Sequence, residues 1–125
     1  MIHAFETMPN YLFEEKWKEV SDFWQKNFDK DVTDLNAILF VIGMREVGSP
    51  KPEFTKEEKI DLMHIAVCRL LSISGIYKLV GHDAEEWPIY EQTTEIPVLE
   101  LNTQERMLKE HVIKYFAEEK IFESE

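Results

Sequence analysis

A histidine and a cysteine one helical turn apart, with a carboxylate one turn earlier, are the side chains best suited to chemistry in this chain: Asp61, His64 and Cys68. Imidazole nitrogen and thiolate sulfur both suit zinc, and an i,i+4 pair can present them to one ion. A structural zinc site takes four protein ligands, and a catalytic one takes three plus water. The remaining histidines stand at 3, 82 and 111. No Cys-x-x-Cys, His-Glu-x-x-His or Glu-x-x-His pattern accompanies the pair. Asp61, His64 and Cys68 are therefore metal candidates without a completing set, and no cofactor is expected. A second gathering of ionisable groups is His82, Asp83, Glu85 and Glu86, beside Trp87. It falls in a stretch that is not helical by pattern, and loops often carry sites. His82-Asp83 after Gly81 also reads as a turn in which the carboxylate accepts a backbone donor.

Nothing in the sequence points to catalysis. The glycines at 43, 48, 75 and 81 are too scattered for a phosphate-binding loop, and there is no Gly-x-Ser-x-Gly elbow. Cys68, inside an apolar run, lacks the exposed electropositive setting that turns a thiol into a nucleophile. The carboxylates fall mostly on helix exteriors, so no acid–base pair stands out. No catalytic residue is assigned.

The candidate residues lie on or beside the most apolar segment, residues 56–80, which is predicted to form one helix. Thr55 and Glu58 make a capping box that satisfies two amides of its first turn. Gly81, with Lys78 before it, offers a left-handed stop. On a wheel of about 100° per residue, Asp61, Cys68, Ser72 and Gly75 fall within about 80° of His64. Ile60, Met63, Val67, Leu70, Leu71 and Tyr77 take the other side. Three readings fit the stripe of small and polar residues. It faces solvent, or Cys68, Ser72 and Gly75 let another helix or a second copy approach closely, or it binds metal. Arg69, with Ile65, Ala66 and Ile73 one turn away, is expected to pair with an acidic residue.

The other elements follow from periodicity. Phe13, Trp17, Val20, Trp24 and Phe28 form one stripe of a helix over 9–29, opened by Pro9. Its opposite face carries the i,i+4 pairs Glu14/Lys18 and Asp22/Lys26. Residues 34–47 are predicted to be a helix capped by Thr33 or Asp34, although the run Ala37–Ile42 would also suit a buried strand. Residues 48–52 stop it. The segment 81–101, with Trp87-Pro-Ile-Tyr90 and Ile96–Leu101, reads as a packed, partly β insertion, in which Trp87 and Tyr90 are candidate interaction residues. Asn102 and Glu105 cap a helix over 103–122, with Leu108, Val112, Tyr115 and Phe116 inward and His111 at the edge. A short strand or arm is expected at 1–8, and a frayed acidic tail at the other end.

A chain of 125 residues with 44% hydrophobic content can bury a core without staples. The expected architecture is all-α: one compact, four-helix bundle-like domain over 1–125, with the insertion at 81–101. A net charge of −11 disfavours nucleic acid, whose phosphates need Lys and Arg clusters. No secretory signal and no membrane-spanning run are visible, and one cysteine suits a reducing compartment, so a cytoplasmic protein is expected. The function expected from these features is a non-enzymatic protein-interaction or assembly module, self-association included. The alternative is a small metal- or ligand-binding protein using Asp61, His64 and Cys68 or the His82 loop.

Overall fold

In the computed structural model, residues 8–28, 33–48, 53–96 and 100–121 are described, and their regular structure is four helices and one antiparallel hairpin. The chain divides into two compact units, Asp34–Ile96 and Met1–Thr33 with Pro97–Glu125.

In the first unit, α2 (Leu35–Val47) is a helix, which resolves the ambiguity of its apolar run. The ends decide it. Asp34 accepts from the Asn36 N–H at 3.0 Å, and Gly48, at φ 71°, donates to the Met44 carbonyl. Helix α3 (Lys56–Ser72) opens with the predicted capping box: Thr55 N–H donates to Glu58 Oε1 at 2.8 Å, and Glu58 N–H to Thr55 Oγ1 at 3.1 Å. Ile38, Leu39 and Ile42 of α2 and Leu62, Ile65 and Ala66 of α3 are buried. The backbones of α2 and α3 nearly touch at Gly43, where an added Cβ would lie 2.7 Å from the Leu62 carbonyl carbon. Phe40 and Phe54 meet edge to face at 6.1 Å.

The predicted helix over 56–80 is too long by eight residues. Ser72 turns its hydroxyl back to the Arg69 carbonyl at 2.5 Å. Gly75, at φ 77°, then closes a Schellman motif in which Ile76 N–H donates to Leu71 O and Gly75 N–H to Ser72 O. Residues expected to continue the helix instead form β1 (Tyr77–His82), which pairs with β2 (Pro88–Gln92). Gly81, expected to end the helix, lies in β1 beside a bulge. The partly β insertion is observed as this hairpin. Its base is pinned at Thr93, whose N–H donates to Ile76 O at 2.8 Å and whose hydroxyl reaches Gly75 O at 2.6 Å.

In the second unit, α1 (Asn10–Phe28) and α4 (Leu101–Glu118) pack through Phe23 against Phe116, edge to face at 5.7 Å. Val20, Trp24, Val112, Tyr115 and Phe116 are buried as the stripes predict, whereas Phe28 is exposed and Leu108 half-buried. Helix α4 starts two residues earlier than predicted, at an extended Glu100 with no side-chain cap, so Asn102 sits inside the first turn instead of capping it. It closes like α3: Ile121 N–H donates to Phe116 O and Lys120 N–H to Ala117 O, with Lys120 at φ 55°. The expectations for residues 1–7, 29, 49–52, 97–99 and beyond 121 lie outside the described residues. No described helix is long and apolar enough to cross a membrane.

Candidate functional site

The hairpin turn and the first turns of α3 enclose a pocket of about 420 Å³ lined by Glu58, Asp61, Asp83, Ala84, Glu85 and Trp87. Asp83 builds the turn. Its Oδ1 accepts from the Glu85 and Trp87 N–H groups, both at 2.9 Å, and its own N–H donates to the Trp87 carbonyl at 2.9 Å. This is the Asx-type turn the sequence implies at His82-Asp83. Glu86 takes a left-handed conformation, φ 67°, to complete it. Four acidic residues and Trp87 thus line one cavity, and among the described residues no Lys or Arg lines it. Glu58 is the member that sequence reasoning missed, because its role in the capping box already accounted for it.

The pocket takes only one residue of the helical stripe. His64 is exposed and Cys68 is 2% exposed, with Sγ 3.5 Å from His64 Nε2. Among the described residues no group of three His, Cys, Asp or Glu side chains is arranged to hold a metal ion. Burial pushes the Cys68 thiol up to about 11, so at neutral pH it is a thiol and a poor ligand or nucleophile. Ser72 is half-buried and bonded back to its own helix, and Gly75 lies beyond the helix end. Cys68, Ser72 and Gly75 therefore do not form one helix face. The stripe is solvated at Asp61 and His64, covered at Cys68, half-covered at Ser72 and exposed again at Gly75. Ile60, expected inside, is exposed.

Next to Cys68 the two tyrosines of the hairpin are half-buried. Desolvation and then Cys68 raise the Tyr77 hydroxyl above its ordinary range; desolvation and then Glu46 raise Tyr90, against Arg69. Arg69 has the acidic partner expected of it, Nε lying 3.5 Å from Glu46 Oε1, and it donates to Ser72 Oγ at 3.3 Å. This cluster links α2, α3 and the hairpin. Trp87 borders the pocket, while Tyr90 belongs to this packed cluster.

In the unit of α1 and α4, the structure buries Glu110, which periodicity did not mark, and His111, which it placed only at the edge of the apolar face. Arg106 Nε donates to Glu110 Oε2 at 2.9 Å, its other nitrogens reach Asn10 Oδ1 and the Met8 carbonyl, and its guanidinium lies 4.2 Å from the Phe13 ring centre. His111 Nδ1 donates to Met107 O at 2.7 Å, and burial lowers its pKa. The network clamps the start of α1.

Comparison with protein-family models, with curated proteins and with solved structures finds no match for this chain.

Proposed function

We propose that this chain is a non-enzymatic, cytoplasmic protein-interaction module and that its contact surface is the β1–β2 hairpin with the adjoining turn. One observation carries the reading: Leu79, Val80 and Ile89 are 47%, 50% and 44% exposed on a single short hairpin. Leu79, opposite Tyr90, and Ile89, opposite Gly81, lie on opposite faces of the hairpin. So much exposed apolar side chain on one short element is costly to leave in water and is common at binding sites. Trp87 at its edge adds an aromatic anchor of the type that dominates interface energetics. Quantitative affinity purification from cell extract tests it, comparing the wild-type chain with Val80→Glu/Ile89→Glu. A partner recovered by the wild type and depleted about tenfold by a variant of unchanged thermal midpoint supports the reading. Identical recovery by both chains overturns it. If the partner is a second copy, sedimentation shows a dimer that the same substitutions return to monomer.

A small-ligand site is the second reading. It is favoured by the meeting of Asp61 with Asp83, Glu85 and Trp87, which are distant in sequence and line one cavity. Amide chemical-shift changes confined to these residues on adding a small organic cation would favour it over the first.

A further inference from the structure

We draw no further inference here: the strongest candidate, the pocket that Glu58, Asp61, Asp83 and Glu85 line beside the hairpin turn, belongs to the site already described and is an acidic cluster with no second observation that points to a ligand.

Discussion

Within residues 34–96, each helix is closed by a neighbour in sequence: Asp34 and Gly48 on α2, Thr55 with Glu58 and then Gly75 on α3. In the unit built from α1 and α4, the tie at the start of α1 comes from Arg106, 96 and 98 residues away from the groups it holds at Asn10 and Met8. Helix α4 begins there without a side-chain cap and ends on a lysine in a conformation that favours glycine. One unit is specified by local chemistry and a backbone contact, the other by distant polar partners and aromatic packing. The difference governs what each should lose when a single side chain changes.

The largest effect is expected at Gly43→Ala, which places a methyl group against the Leu62 backbone. Backbone cannot rotate away as a side chain can, so a loss of about 3 kcal/mol is expected, read by denaturant unfolding. A loss under about 0.5 kcal/mol would mean that the two helices do not approach this closely. Arg106→Met should cost about 2 kcal/mol, below the usual figure for a broken buried pair because the arginine is partly exposed. The double variant Arg106→Met/Glu110→Leu should recover most of this, because no buried carboxylate is then stranded.

pH should separate the units with opposite signs. His111 is held neutral by burial, so its folded pKa lies below its unfolded one. The unfolded chain then binds the extra proton, and this contribution is lost as pH falls below about 6.5. Cys68 is raised from 9.0 to about 11 on folding, so its contribution is complete below pH 9.0 and is lost as pH rises towards about 11. Hydrogen exchange followed across pH should show acid weakening within 100–121 and alkaline weakening within 56–72. The smallest change expected is a gain: Lys120→Gly should stabilise by up to about 1 kcal/mol by removing a left-handed lysine, seen as a higher thermal midpoint.

The same contrast explains what the sequence made legible. Asp34, Thr55 and Glu58 act through hydrogen bonds to residues two or three positions away, so their roles could be read directly. Gly75 was equally local, yet the apolar residues Ile76, Tyr77, Leu79 and Val80 follow it with only Lys78 between them and favour a helical reading past the true stop. The candidate site was half visible. Asp61 and the Asp83–Trp87 turn each drew notice separately, and only the fold-back of the hairpin onto α3 put them around one cavity. The burial of Glu110 and the reach of Arg106 depend on tertiary packing that no periodicity encodes.

Thr93 fastens the foot of the hairpin to Gly75 and Ile76. A protrusion whose two ends are fixed independently of its tip behaves as an exchangeable cassette. Residues inserted after Asp83 would give up the two turn bonds its carboxylate accepts, but the ring they enlarge is already closed, and each doubling of such a ring adds only about 0.6 kcal/mol. Variation in length and side chains at the tip could therefore accumulate while α2 and α3 stay as they are, a latitude suited to tuning which partner is met.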